Sequence, residues 1–423
     1  MTARAFPANW ETLERTDPDV ARAVASELER ERTTVRLIAS ENYTSRAVLA
    51  AVASTMTNKY AEGYPGRRYY GGCEWVDAVE ALAIERAKSL FGGEHANVQP
   101  HAGAQANLAV LGAFLDPRSE AAVLGMSLAH GGHLTHGSPV NVSGMWFNFV
   151  PYEVDPDTER LDMDRIRDLA LRHRPRIVLA GFTAYPREID FAAFRGIADE
   201  VGAILWVDAS HFAGLAAGGA YPNPTPHADV VTFTTHKTLR GPRGATIVCR
   251  AEHAAAIDRA VFPMMQGGPL EHVIAGKAVA FREATTPEFR DYAWRTVRTA
   301  RALADGLRDE GARIVSGGTD SHLALVDLRP LRVGGRDAES ACDRVGISLN
   351  KNAIPFDPMP PANPSGIRVG TPGPATLGMD EPEMKEVAGI IGDTLRRVGD
   401  ERAEADARER VRGLTRRFPV YPD

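Results

Sequence analysis

Cysteine is nearly absent from this chain. Cys73, Cys249 and Cys342 stand far apart, and an odd, unclustered set supports neither a disulfide framework nor a zinc site. A reducing, cytoplasmic setting is therefore expected, and no metal. Long apolar runs are missing too, so no membrane span is expected, and residues 1–10 lack the apolar core of a secretory signal. Excess positive charge is also lacking. A formal net charge of −6, with histidine neutral, gives nucleic acid or an anionic membrane no reason to bind. Lysine is the scarcest charged residue: only Lys59, Lys88, Lys237, Lys277, Lys351 and Lys385 occur, and arginine supplies nearly all other positive charge.

A chain of 423 residues is too long for one small core, so two or more domains are expected. Residues 17–32 read as a charged amphipathic helix within an N-terminal arm, 1–35. From about residue 80 to 286, short apolar runs at 121–124, 177–180, 203–207, 230–234 and 246–249 alternate with helical patterns at 76–91, 105–115, 163–172 and 191–200. That alternation predicts an α/β fold with a mostly parallel sheet covered by helices, residues 36–286, and chemistry at the carboxyl ends of its strands. A long helix over 287–310 opens a smaller C-terminal α/β domain, 287–423, with strands at 313–316, 322–327 and 367–370 and a Pro-rich loop at 354–364.

The run from Val230 to Gly244 carries most of the chemistry. An apolar β-branched stretch empties into Thr234, Thr235, His236 and Lys237, then into a Gly/Pro turn. An isolated lysine is more often a solvated loop residue. At the mouth of a buried strand its amine is desolvated and becomes a nucleophile toward carbonyls, the chemistry of a Schiff-base lysine holding pyridoxal phosphate (PLP). Asp208, closing another apolar run, fits a partner for the protonated pyridine nitrogen, or equally a helix cap. His211 follows one turn later and could bond the phenolic side of the ring or sit in the core. His133 lies in a cluster of histidines and glycines. A metal site and a ring stacked on a flat cofactor both explain it, but no carboxylate or cysteine completes a metal set. Residues 101–107 run into a helix whose first amides suit a phosphate, and 262–269 offer a second glycine loop. Residues 58–72 are dense in tyrosine and glycine around Glu62. Arg368, in a strand flanked by glycines, suits a carboxylate.

These motifs, in this order and across nearly the whole chain, resemble the serine hydroxymethyltransferase family of fold-type-I PLP enzymes. The similar segments are 37–42, 58–72, 128–141, 234–239, 266–269, 316–320 and 365–372. The resemblance implies transfer of a one-carbon unit between a β-hydroxy amino acid and tetrahydrofolate, with Lys237 binding the cofactor. It implies that Asp208 pairs with the pyridine nitrogen, His133 stacks on the ring, and His211 and Thr183 lie near the phenolic oxygen. Ala102, Gly103 and Ala104 would meet the phosphate, with Gly267 and Gly268 of a neighbouring subunit. Ser40 and Arg368 would hold the amino-acid carboxylate. Glu62 and Tyr70 would handle protons, Thr234 and His236 join the catalytic set, and Tyr60 would reach a neighbour's cofactor. Folate would meet Glu62, Tyr69, Leu128, Gly132, Leu134 and Asn352. Partners are then a small amino acid, a folate and further copies of the chain, as a homodimer or dimer of dimers with shared sites. The sequence departs from the family at Ala102, Ser210, Phe233, Met264, Met265, Asn363, Pro364, Gly373 and Pro374. These departures raise an alternative, an enzyme specialised for an α-methyl or other β-hydroxy amino acid, such as α-methylserine formed from D-alanine. A non-catalytic regulator is the remote alternative, disfavoured by the presence of Lys237 and Asp208.

Overall fold

The computed structural model describes residues 10–422, which form two compact units. The larger unit, Thr44–Trp294, is built on a seven-stranded sheet. Its order is His95–Asn97, Ala245–Cys249, Val230–Thr234, Ile204–Asp208, Ile177–Gly181, Ala122–Met126, Asn148–Tyr152. The pairs from Val230–Thr234 to Asn148–Tyr152 are parallel. Four of those strands are buried at every position, as expected of sheet strands covered on both faces. The crossing helices start and stop on local chemistry. Asp162 caps Met163–His173 and Asp190 caps Phe191–Val201 through their side-chain oxygens. Gly92 and Gly202 end their helices in the left-handed conformation.

One strand departs from the parallel pattern. Ala245–Cys249 runs antiparallel to Val230–Thr234, with Ala245 opposite Thr234. The connection between them, residues 235–244, holds no helix, so the chain returns beside the strand it has just left. Lys237 sits in that return. The strands His95–Asn97 and Asn148–Tyr152 were not expected from sequence. One is three residues long, and the other is half-exposed and interrupted by Asn148 and Pro151, poor strand formers.

The second unit joins the described N-terminal residues up to Tyr43 with the chain from Arg295 onward. Its four-stranded antiparallel sheet has the order Arg313–Ile314, Leu323–Asp327, Gly366–Gly370, Asn350–Asn352. Val35 and Leu37 join Leu303, Val326, Ile367 and Ile391 in its core. Val35–Arg36 also pairs in parallel with Ile347–Ser348. The helix Pro18–Thr33 is capped by Asp17, and Arg32 in its last turn donates to the Val420 and Tyr421 carbonyls. Residues 1–9 of the expected arm lie outside the described residues. No described helix is long and apolar enough to cross a membrane.

Candidate active site

Asp208 is the last residue of its strand and is almost wholly buried. One of its oxygens, Oδ2, accepts from Asn107 Nδ2 at 2.8 Å and meets His136 Nε2 at 3.0 Å. The other, Oδ1, accepts from the Ser210 amide at 3.0 Å. Burial alone would raise its pKa. The hydrogen bond and charge of His136, the charge of His133 and the Ser210 bond together outweigh burial and hold the carboxyl well below the usual carboxylate range. The sequence did not single out His136, Asn107 or Thr135. They form a relay behind Asp208. Asn107 Nδ2 donates to Thr135 Oγ1 at 2.8 Å, and Thr135 Oγ1 lies 2.8 Å from His133 Nδ1. Thr232 Oγ1 fixes the other end of the Asn107 amide at 2.7 Å, and itself accepts from Trp206 Nε1 at 3.0 Å. The signal for His136 was its three-residue spacing from His133 in a glycine-rich loop. The sequence held no such sign for Asn107, one of many polar residues on helices.

The strand Val230–Thr234 alternates faces. Thr232 reaches Asn107, and the Thr234 amide donates to Ser210 Oγ at 3.2 Å. Phe233 points the other way, its ring 4.5 Å from Phe91 and 6.4 Å from Phe281. This departure from the family pattern therefore fills a core position instead of lying beside the cofactor. Beyond the strand, Thr235 donates to the Pro242 carbonyl and Thr238 to the His211 carbonyl, closing the turn around a buried Lys237. His236 is pushed down to about 3, first by burial and then by the charges of Arg243 and Lys237, so its ring is neutral at ordinary pH. Of the six lysines only Lys237 and Lys277 are buried. Lys277 commits its ammonium to three backbone carbonyls, those of Val98, Pro100 and Ala245. Lys237 is thus the buried lysine at a strand mouth.

The loops at neighbouring strand ends converge here. The Thr183 and Ala184 amides both donate to the Gly131 carbonyl. A Cβ on Gly132 would run into the Met126 carbonyl, so the loop bearing His133 closes only on glycine. His211 is buried beside Phe182, while Leu128 and Leu134 are exposed. Gly103 heads the helix Gly103–Phe114, whose N-cap, Ala102, offers no side-chain bond. Ala104 sits in the first turn. A Cβ at Gly103 would lie 2.7 Å from Thr234 Cγ2, so the helix start lies against the strand that leads to Lys237.

A second group of predicted residues gathers elsewhere in this unit. Tyr70 OH donates to Glu62 Oε2 at 3.1 Å, Tyr60 OH lies 3.5 Å from Glu62 Oε1, and the two tyrosine rings meet edge to face. Gly267 and Gly268 lie against Glu62 and the Tyr60 ring, so side chains there would crowd both. The Tyr69 ring is 5.8 Å from Phe262. Tyr60, Tyr69 and Tyr70 remain exposed.

Ser40, Asn352 and Arg368 belong to the other unit. Arg368 lies mid-strand with its Nε 3.2 Å from Asn350 Oδ1, and burial pulls it down to about 10. Asn352 ends the strand beside it, and Ser40 is half-buried.

The chain matches the family model of serine hydroxymethyltransferase over residues 13–391. It belongs to the serine hydroxymethyltransferase family. Membership brings a fold-type-I architecture, which the central sheet bears out, and PLP-dependent transferase chemistry. The residues present fit that cofactor. A buried, ionised Asp208 held by an amide, a histidine and a backbone N–H suits a pyridinium nitrogen. A glycine-headed helix of 12 residues beside the Lys237 strand suits a phosphate.

Proposed function

We propose that this protein is a PLP-dependent hydroxymethyltransferase that interconverts a serine-type and a glycine-type amino acid, with tetrahydrofolate carrying the one-carbon unit. The observation behind the reading is the relay that keeps Asp208 ionised in a buried site, with Lys237 in the return of the adjacent strand. PLP, when bound, supplies the electron sink for Cα–Cβ cleavage.

The chain's own residues do the rest. Lys237 presents the amine that anchors the cofactor. Asp208 keeps the proton on the pyridine nitrogen, and His136, Asn107 and Ser210 hold that carboxylate in place. Thr135 fixes the His133 ring for stacking. The amides at Gly103 and Ala104, which no Ala102 side chain caps, receive the phosphate. Thr183 and His211 serve the phenolic oxygen. Arg368, with Ser40, receives the substrate carboxylate through its fork. Glu62, bonded to Tyr70, moves a proton at the one-carbon unit. Tyr69, Leu128, Gly132, Leu134 and Asn352 contact folate. The Tyr60–Glu62 cluster with Gly267 and Gly268 serves a second copy's site, so the working form is a homodimer or larger.

The experiment is a rate comparison with tetrahydrofolate: L-serine against α-methylserine, and glycine against D-alanine in reverse. Serine and glycine are expected to be preferred, because Phe233, one of the departures from the family, packs against Phe91 and Phe281 in the core. Preference for the α-methyl substrates would replace this reading with the specialised one. No turnover of either pair would remove the folate reaction altogether.

A further inference from the structure

The turn that leads into Gly103 is tied to its sheet through the Ala245 amide, which donates to Pro100 O at 3.1 Å, and is otherwise held from elsewhere. The strand His95–Asn97 stops, and the next three carbonyls are received largely by side chains from one distant segment. Lys277 Nζ donates to Val98 O at 2.6 Å and to Pro100 O at 3.0 Å, and Gln266 Nε2 donates to Gln99 O at 2.8 Å. Gln266 Oε1 also lies 3.3 Å from the His101 amide. The third ammonium hydrogen of Lys277 goes to Ala245 O at 2.7 Å, on the strand paired with Val230–Thr234. The Lys277 stem runs under the return that carries Lys237. A Cβ on Gly244 would sit 2.6 Å from Lys277 Cε, and the Gly244 carbonyl accepts from the Thr235 amide. One wholly buried ammonium therefore braces both the turn before Gly103 and the turn around Lys237. An amine that donates to three acceptors is protonated, since a neutral one has only two hydrogens. Burial pulls its pKa down to about 7, and the charge shared by Glu80 and Glu271 pulls the other way.

We infer that Lys277 is a positioning residue for the phosphate of the cofactor. Its ammonium fixes the carbonyls of Val98 and Pro100 so that the amides at Gly103 and Ala104 point at the phosphate. This rests on the proposed PLP chemistry and adds to it a residue that touches neither cofactor nor substrate. A lysine here substitutes for a side-chain cap. Ala102 fixes nothing at the helix start, so the backbone of the turn has to be held from behind.

The test titrates apo-protein with PLP by absorbance, in the wild type, Lys277→Met and Lys277→Ala, with the melting temperature of each apo-protein measured alongside. Both variants are expected to bind PLP about tenfold or more weakly, the scale of losing a hydrogen bond to a charged group. Propylammonium should restore binding of pyridoxine 5′-phosphate, which has no aldehyde for the added amine to capture, to Lys277→Ala, which has room for it, and not to Lys277→Met, whose side chain fills the space. A lower melting temperature with unchanged PLP affinity would assign Lys277 to the fold alone and overturn the inference. Weakening that propylammonium leaves untouched would overturn it too, and so would failure of both variants to fold with propylammonium present. Wild-type protein that takes up no PLP would instead sink the functional reading on which this one stands.

Discussion

Two lysines of this chain are buried, and their surroundings assign them opposite tasks. Lys277 is saturated by carbonyls and so cannot turn its amine to a ligand, whereas Lys237 follows the strand that faces Asp208 across a parallel pairing. Replacing Lys237 with alanine is therefore expected to abolish the visible absorbance band that survives dialysis of the PLP-loaded protein. A surviving band of wild-type position would mean that another lysine anchors the cofactor. A single hydroxyl separates Ala102 from serine, and the position is an N-cap without a side-chain bond. Ala102→Ser adds a helix cap, worth about 0.5–2 kcal/mol, and a donor to phosphate, worth about 1.5–3 kcal/mol. A higher melting temperature in the apo-protein and PLP binding about tenfold tighter or more are expected. Tighter folding without tighter PLP binding would show that the backbone amides already satisfy the phosphate.

The hairpin that carries Glu62 and Tyr70 is held by charge at the level of elements. Arg68, at its base, donates to the carbonyls of Ala61 and Gly63 on either side of Glu62. Its other nitrogens reach Asp77 and Glu80 on the helix Glu74–Phe91, and Glu271 at the head of Glu271–Glu283. Burial first, and the charge of Glu80 second, push Glu271 up to about 8 against the pull of Arg68. Glu80 and Glu271 both face the Arg68 guanidinium, and two buried carboxyls at one site favour keeping a proton on one of them. An unfolded glutamate titrates near about 4.3. Between that value and about 8 the folded state keeps a proton that the unfolded state has released, so this group makes stability fall as pH rises through that window. Glu271→Gln removes the titration. The variant is expected to show a flatter decline of melting temperature than wild type between about pH 5 and about pH 7, below the range where Lys277 titrates in the opposite sense. Parallel curves would mean that Glu271 is ionised in the folded protein. None of this network was legible in the sequence, because Arg68, Glu80 and Glu271 look like ordinary surface charges until three elements meet. The strands that the sequence did reveal were those buried on both faces, such as 177–181 and 230–234, where an unbroken apolar run leaves one reading. The half-exposed strand Asn148–Tyr152 is interrupted by Asn148 and Pro151. At the site, Asp208 and Lys237 were visible because each ends an apolar run. Asn107 and Thr135 were not, since their role exists only once a helix and a loop face the same carboxylate.

A whole-molecule question remains in the position of the second cluster. Tyr60 is 58 % exposed, Tyr69 and Trp75 are each 73 % exposed, and Met264 and Leu270 are exposed too. A soluble protein rarely leaves this many large apolar side chains open in one unit unless something covers them. The proposed chemistry gives them an occupant: a second copy whose Lys237 receives Tyr60 and Glu62 from the first. That arrangement makes a prediction which a single-chain site does not share. Lys237→Ala and Tyr60→Phe protomers are each crippled as homodimers. In a heterodimer, the Tyr60→Phe chain supplies an intact Lys237 and the Lys237→Ala chain an intact Tyr60, so one of the two sites is whole and the other carries both defects. Tagged heterodimers, purified after subunit exchange, should recover up to half of the wild-type rate per dimer. With sites confined to one chain, each heterodimer site would carry one defect and the rate would be no more than the mean of the two homodimers. Activity at that mean in verified heterodimers would place Tyr60 in the site of its own chain and leave the exposed aromatic surface without its proposed purpose.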